Sequence, residues 1–280
     1  MMTAGASVHR DAAPVVNGSN SLSASADRTA PPTRTGPIRL LTYNILFARK
    51  WRESLAVIRD ADADVICLQE VVPEDSLHES DCGIERIIDD IGMPCDFAWL
   101  WGKGQKRLGN ATFARDGVTA REILKARPTP AYGLANRVDV AGAQLTIANI
   151  HLSPMWGPAP LMFLPSECFR RMEATHLSRW SRGATGPIVA AGDFNTFPHA
   201  PAYRRMASEW TDARSASTSR QPPTRPTYGL PFVIDHIFVR GAAEICDYTV
   251  IAGGGSDHRA VLATLKLPSE NAFVTGESRV

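Results

Sequence analysis

The sequence has no surplus of either charge: Lys and Arg number 30 against 29 Asp and Glu, a formal net charge of +1. That excludes a general basic field for holding nucleic acid, though not a local basic patch. Cysteine is sparse and unpatterned. Cys67, Cys82, Cys95, Cys168 and Cys246 are odd in number, scattered, and without the paired spacing of a zinc site or a disulfide framework. They suit a reducing compartment, and Cys67 and Cys246, inside apolar strand-like runs, are expected to be buried thiols. No apolar run approaches membrane-spanning length. The N-terminal stretch lacks an apolar segment that could serve as a secretory leader, and Asp11 and Asp27 disfavour a transit peptide, so a cytoplasmic location is expected. G-x-G-x-x-G, Walker A and G-x-S-x-G patterns are absent, as is any tandem repeat of solenoid period. Large apolar residues are scarce in residues 1–36, which are rich in Ala, Ser, Thr, Pro and Asn and cannot bury enough surface to offset the entropy of ordering. They are expected to be a disordered tail, with a shorter one at 268–280 and one folded domain at 37–267.

What is present is a chain of 280 residues, 44% hydrophobic, ample for a sizeable core. Apolar runs read as strands at 38–46, 64–71, 97–102, 110–115, 136–142, 144–152, 187–194, 233–239, 243–251 and 260–267. Helical spacing occupies 52–61, 82–92, 167–181 and a short stretch near 200–208, with Gly92 a natural stop. Many strands are apolar on both sides, so the sheets must be covered on both faces. Strands and helices mix rather than alternate, which favours two packed sheets flanked by helices over a Rossmann sheet.

Several of these runs end in polar residues of a restricted kind. In Gly192-Asp193-Phe194-Asn195 an apolar run stops at a carboxylate and an amide two residues apart. On an extended chain Asp193 and Asn195 share one side while Phe194 faces the core; Asp and Asn also favour turns through side-chain to backbone bonds. Other runs end in Asn44, Glu70 and His151, and late in the chain stand Asp235 and the pair Asp257-His258. The inventory is carboxylates, amides and imidazoles, and its hard oxygen donors suit Mg²⁺ or Mn²⁺ rather than zinc. Asp235 lies inside a largely apolar run, and a buried Asp needs a partner. His236 points the opposite way on the strand and reads as structural.

The segments TYNI, LQEV, GNATFAR, NIHL, GDFNTFP, IDHIF and SDHRAV, in this order, resemble the endonuclease/exonuclease/phosphatase family. The match covers about Ile38 to Leu265. The resemblance implies an α+β fold: a four-layer αββα sandwich of two mainly antiparallel sheets flanked by helices, with the site at one end of both sheets. It implies Glu70 as the main Mg²⁺ ligand, with Mn²⁺ a substitute, Asn44 beside it, and Asp257 as a second acidic residue near the metal. It makes Asp193 the base for the attacking water and Asn195 its neighbour on water or phosphate. His258, partnered by Asp235, would bind phosphate oxygen or act as acid, and His151 would be a second phosphate ligand or acid. General chemistry agrees: phosphate-ester hydrolysis needs charge neutralisation, an oriented water and help for the leaving oxygen.

Two segments bear on the substrate. Residues 99–110 interleave Trp99 and Trp101 with Lys103, Lys106 and Arg107, and can track phosphates beside the site. Residues 153–167 carry Met155, Trp156, Leu161, Met162, Phe163 and Leu164 between prolines; an apolar loop there can cover a base, a lipid chain or a membrane surface, with peripheral lipid contact through 155–164. Arg115 either pairs with substrate or braces the sheet. The preferred expectation is a monomeric Mg²⁺-dependent phosphoesterase acting on a phosphodiester in DNA or RNA. The alternatives are an enzyme for a small or lipid-linked phosphate, and an inactive binding module, against which the complete set of polar residues argues.

Overall fold

The computed structural model describes residues 36–77, 82–154, 164–227 and 230–268. The tail expected at 1–36 lies outside the described residues except for Gly36, as does the tail at 268–280 beyond Pro268. Among the described residues no helix is long and apolar enough to cross a membrane.

The first two apolar runs form β1 (Ile38–Asn44) and β2 (Val65–Val71), paired in parallel with Asn44 opposite Gln69 and joined through α1 (Trp51–Ala61). Next come α2 (Ile84–Ile91), closed by Gly92 at φ 67°, then β3 (Cys95–Trp101) and β4 (Leu108–Ala114). The left-handed turn at Gly92 is one that glycine adopts without a Cβ penalty. The middle of the chain supplies β5 (Gly117–Lys125), β6 (Ala131–Val140), β7 (Ala143–His151), α3 (Leu164–Trp180) and β8 (Ile188–Asp193). The last part supplies α4 (Pro201–Ala207), β9 (Thr211–Asp212), β10 (Arg225–Thr227), β11 (Leu230–Phe232), β12 (Asp235–Arg240), β13 (Glu244–Val250) and β14 (Val261–Lys266).

One six-stranded sheet runs β13-β14-β1-β2-β4-β3 and the other β5-β6-β7-β8-β12-β9; β10 and β11 form a separate hairpin. Pairing is antiparallel except for β1–β2 and β7–β8. Each parallel pair is linked through a helix, as a parallel connection requires. The sheets pack face to face through Leu40, Val65, Ile147, Val189, Ile237 and Val261. Alternate residues face outward: Leu41 and Leu68 meet Leu55, Ile58 and Ile87 of the first helical layer. On the other side Ile150, Ala190 and Phe238 meet Ala174, Leu177 and Met206. This αββα sandwich explains why the central strands are apolar on both faces, as expected. Every fully buried Leu, Ile or Phe side chain contributes about 1.5–3 kcal/mol relative to exposure.

Two expectations are corrected. β5 was not anticipated as a strand: its residues 119–123 are exposed, and an edge strand without an apolar stripe carries little periodic signal. Cys246 is exposed, because it sits on the outer edge strand β13, whereas Cys67 is buried. All five cysteines are free thiols.

Between the sheets lies a buried polar clamp. Gln69 and Asn110 of one sheet and Asn149 of the other are almost fully buried. Gln69 Nε2 donates to Asn149 Oδ1 at 2.8 Å, and Asn110 Nδ2 donates to the Asn149 carbonyl at 3.0 Å. Asn149 Nδ2 donates to the carbonyls of Leu68 at 3.2 Å and Ala111 at 2.9 Å. Satisfied buried networks of this kind fix a unique arrangement, here the register of one sheet on the other.

Candidate active site

The topology brings the polar strand ends together. Asn44 and Glu70 close the parallel pair of one sheet, and His151 and Asp193 close that of the other, directly opposite each other. Asp235 opens β12 opposite Asp193, and Asp257 and His258 stand just before β14, whose Val261 pairs with Thr42 near the end of β1.

Local backbone features aim these groups. Glu70 interrupts the β2–β4 ladder: Gln69 faces Asn110 and Val71 faces Gly109, so Glu70 is the extra residue of a bulge, at φ 59°. Bulges re-aim side chains, and a left-handed non-glycine residue is strained by about 1–3 kcal/mol. Ahead of Asp193, Gly192 sits at φ 151°, and a Cβ there would collide with the Ile150 carbonyl oxygen. After it, Asn195 is left-handed at φ 48°, and its N–H donates to Asp193 Oδ1 at 2.9 Å. The segment is therefore a side-chain-closed turn and also a presentation device: one oxygen of Asp193 holds the turn and the other faces the cluster. Phe194 is buried in the outer core, as its place on the strand predicts.

Asn44 Nδ2 donates to Glu70 Oε1 at 3.0 Å and to Asp193 Oδ2 at 3.2 Å, spanning the two sheets. Around Asp193 Oδ2, His151 Nε2 lies at 3.6 Å and His258 Nε2 at 3.7 Å. His258 Nδ1 contacts both oxygens of Asp235 at 2.9 and 3.0 Å. Asn195 Nδ2 donates to the Leu152 carbonyl at 3.2 Å. Ligand-type atoms of Asp193, Asp235 and His258 come within 4.8 Å of one another. Within the cluster, the buried oxygens Glu70 Oε2 and Asp257 Oδ1 have no hydrogen-bond partner among the described residues, nor has His151 Nδ1.

Burial sets the proton affinities here. Desolvation lifts Glu70 to about 7, against the Asn44 hydrogen bond and His258, with Asp193 and Asp257 adding to the rise. Desolvation also lifts Asp193 to about 6, opposed by the charge of His258. For His258 burial works downward, but Asp235 and Asp193 outweigh it and raise the imidazole to about 9. Burial, then the positive charges of His258 and Arg225, lower His151 to about 3. At neutral pH the cluster thus holds one imidazolium, on His258, and one neutral imidazole, on His151.

The structure therefore gathers Asn44, Glu70, His151, Asp193, Asn195, Asp235, Asp257 and His258 at one end of the sandwich. Lys103, Lys106 and Arg107 lie on the turn between β3 and β4, at the end of β4 that faces the end of β2, and are beside the cluster rather than in it. Trp101 links them to it, its ring edge-on to His151 at 4.3 Å between centroids. Arg107 instead covers the Trp99 ring at 4.7 Å. Trp156 lies outside the described residues, as does the apolar stretch 155–163. Arg115 is not brought to the site. Its guanidinium bonds Asp64 at 3.0 Å and Asp62 at 3.2 Å, ahead of β2, at the far end from Glu70. Six residues of strand separate Asp64 from Glu70, roughly 20 Å. Arg115 is a sheet brace.

Arg225 went unrecognised in the sequence. It stands in the separate hairpin and grips Asp257 Oδ2 through Nε at 3.0 Å and Nη2 at 2.7 Å. Its neighbour Thr224 accepts the N–H groups of Ile234 and Asp235 on its Oγ1 at 3.0 and 3.1 Å, seating the start of β12. The one sequence signal is an arginine in a Pro-rich segment just upstream of Asp235. His236 is structural, as expected: it is fully buried, with Nε2 3.0 Å from the Thr196 carbonyl.

The sequence model of the Endonuclease/Exonuclease/phosphatase family matches residues 41–258. No curated protein matches the chain. Among solved structures, an endonuclease/exonuclease/phosphatase from Bacteroides vulgatus is 18% identical, with a TM-score of 0.66 over 83% of this chain and 99% of that one. The human Nocturnin catalytic domain with bound sulfate is 22% identical, with a TM-score of 0.63 over 83% and 94%. A mannosyl-6-phosphatase from Bacteroides thetaiotaomicron is 17% identical, with a TM-score of 0.63 over 81% and 99%. These likenesses show a shared fold. With the family match spanning most of the chain and the fold in agreement, the protein belongs to the endonuclease/exonuclease/phosphatase family, whose members are phosphoester hydrolases.

Proposed function

We propose that the chain hydrolyses a phosphate ester with the help of a divalent cation, and that a phosphodiester in nucleic acid is the first substrate to test. The family is generally dependent on a divalent metal. The observation that carries the proposal is the pair of buried oxygens without a hydrogen-bond partner, Glu70 Oε2 and Asp257 Oδ1, the first on a carboxyl that burial pushes up to about 7. A cation would satisfy both at once. Glu70, Asp257 and the Asn44 amide oxygen supply hard donors that fit Mg²⁺ or Mn²⁺. Asp193, Asp235 and His258 are close enough to hold a metal too, but the His258 imidazolium has no lone pair to give, and its Nδ1 is committed to Asp235. We assign that trio to proton and anion chemistry.

When bound, the cation neutralises nonbridging phosphate oxygens as a Lewis acid. Asp193, ionised at neutral pH, accepts the proton of the attacking water through Oδ2. Asn195 steadies the turn that sets Asp193 and offers its amide to water or phosphate. His258, held charged by Asp235, stabilises the negative charge growing on the phosphate. Neutral His151 acts as a hydrogen-bond partner to a phosphate oxygen, not as a resident acid. Lys103 and Lys106 stand ready for flanking phosphates. The alternative substrate, a small or lipid-linked phosphate, draws on the fold shared with a sugar phosphatase and on the near-zero net charge.

The test is a substrate panel with Mg²⁺ and with EDTA: single- and double-stranded DNA, RNA, p-nitrophenyl phosphates, inositol phosphates and lipid phosphates. Metal-dependent cleavage of nucleic acid is expected. Turnover confined to small phosphates would favour the alternative, and metal-independent turnover would overturn the role of Glu70.

A further inference from the structure

A second concentration of charge lies away from the strand ends. A cavity of about 510 Å³ opens between α3 and the turn that joins β5 to β6, lined by Arg127, Cys168, Arg171, Thr175, His176 and Arg179, with Ala126 and Met172 at its base. The helical members fall at spacings of three and four, so they form one stripe of α3. No carboxylate is among the lining residues. Several arginines elsewhere are matched by a carboxylate: Arg115 with Asp64, Arg121 with Asp96, Arg205 with Glu209, Arg225 with Asp257. Among the described residues, the guanidinium groups of Arg127, Arg171 and Arg179 have no such partner. In a chain of net charge +1, three exposed guanidinium groups around one concavity make a local positive field that attracts an anion.

A buried group tunes the floor. Tyr132, 1% exposed on β6, places its hydroxyl 2.7 Å from His176 Nδ1. Burial raises the proton affinity of that phenol, which keeps its hydroxyl protonated beside the ring. The cavity also points towards the strand ends. Gly133 pairs with Ile150, which places the β5–β6 turn beside the end of β7, where His151 stands. The first turn of α3 is tied to the same region, Glu167 accepting the Ala202 N–H at 2.7 Å and lying 3.4 Å from Thr196 Oγ1, next to Asn195.

We propose that this cavity is a second anion site, which holds the backbone phosphates of a nucleic-acid strand beyond the phosphate being cleaved. It rests on the nucleic-acid reading above. Arg171 and Arg179 are eight residues apart on a helix, about 12 Å between their Cα atoms, so the two guanidinium groups offer anchors for more than one phosphate. A chain of phosphates spans that distance, with Arg127 reaching it from the facing turn. Recognition runs through the backbone and is indifferent to base sequence.

The test uses the full-length protein in EDTA, so that nothing is cleaved. Binding of a short fluorescein-labelled single strand of mixed sequence is followed by anisotropy across a salt series, for the parent and for Arg127→Ala/Arg171→Ala/Arg179→Ala. At low salt the variant should bind at least tenfold more weakly. Its log K against log salt slope should be shallower by ~2, at about 0.7 per phosphate contact. Its turnover of a small p-nitrophenyl phosphodiester should be unchanged, which also shows that it is folded. Arg171→Lys/Arg179→Lys, which keeps charge, should recover most of the slope. Equal affinity and slope in parent and alanine variant would overturn the site. So would a parent that binds inorganic tripolyphosphate but no strand. A parent that cleaves no phosphate at all would instead defeat the functional reading, which the binding series does not consult.

Discussion

Glu70→Gln separates the needs of the metal-free fold from those of chemistry. Burial raises the Glu70 carboxyl from its ordinary 4.5 to about 7. The native state therefore holds that proton more tightly than the unfolded chain. Below pH 4.5 both states are protonated and nothing is lost; above pH 7 both are ionised, and the native state carries the full cost of a buried charge. That cost is about 3 kcal/mol at 1.36 kcal/mol per decade. The amide in Gln can still accept from Asn44 through Oε1, but its NH₂ group takes the place of the unpartnered Oε2 and gives back about 1 kcal/mol. The net gain is about 2 kcal/mol at pH 8. For a domain of this size that raises Tm by about 4–8 °C. The assay is thermal unfolding in EDTA at pH 8 and again below pH 4.5, where only the NH₂ cost remains and the variant should be the less stable by about 1 kcal/mol. Added Mg²⁺ should then stabilise the parent by about 2.7 kcal/mol at a hundredfold excess over its Kd and leave the variant unmoved, while turnover is lost. A Gln variant no more stable than the parent at pH 8 would refute the burial argument, and equal Mg²⁺ stabilisation of both proteins would remove Glu70 from the cation site.

Asp193→Ala should lower kcat by about 10²–10⁴-fold on a small phosphodiester while the fold survives; a variant within a few-fold of the parent would remove Asp193 as the base. Asp235→Asn removes the strongest support for the His258 imidazolium, now near 9, so the alkaline limb of the pH–rate profile should move to lower pH; a limb that stays in place would detach it from this pair. The same ion pair stabilises the parent fully below pH 6.5 and is lost as pH rises through about 9, a decline that a pH series of melts in EDTA should show and that Asp235→Asn should lack. Asn149→Leu leaves the side chains of Gln69 and Asn110 and the carbonyls of Leu68 and Ala111 short of partners, and should cost about 3–5 kcal/mol in urea unfolding; a loss below 1 kcal/mol would mean that the clamp is not structural.

The layers and the strand-end residues are legible in the sequence because both rest on strong local signals. Leu40 faces the other sheet and Leu41 the helices, and an apolar run with both faces covered reads as such before any fold is known. Asn44, Glu70, His151 and Asp193 break those runs with polar atoms, which is what a rigid scaffold with a working end requires. What escapes detection depends on long-range pairing. The bulge at Glu70 exists only because Gln69 and Val71 pair with adjacent residues of β4. Arg225 reaches Asp257 across 32 residues of chain, a distance over which composition says nothing. β5 is hidden because its outer face meets solvent. Arg115 misleads in the opposite sense: a charged residue after an apolar strand looks the same whether that strand end faces the cluster or the opposite rim.

The buried amide clamp between the sheets carries a consequence beyond cohesion. On the proposed mechanism, one leaf of the sandwich carries the cation donors Asn44 and Glu70, and the other carries the base Asp193 with His151. The reacting geometry is therefore a separation between two leaves, and no single loop sets it. A mutation deep in the interior that slides one leaf by an ångström would leave every polar strand end in its own local setting, yet misalign donor and base. Impaired turnover with near-normal melting, caused from well away from the chemistry, is the signature this architecture should produce.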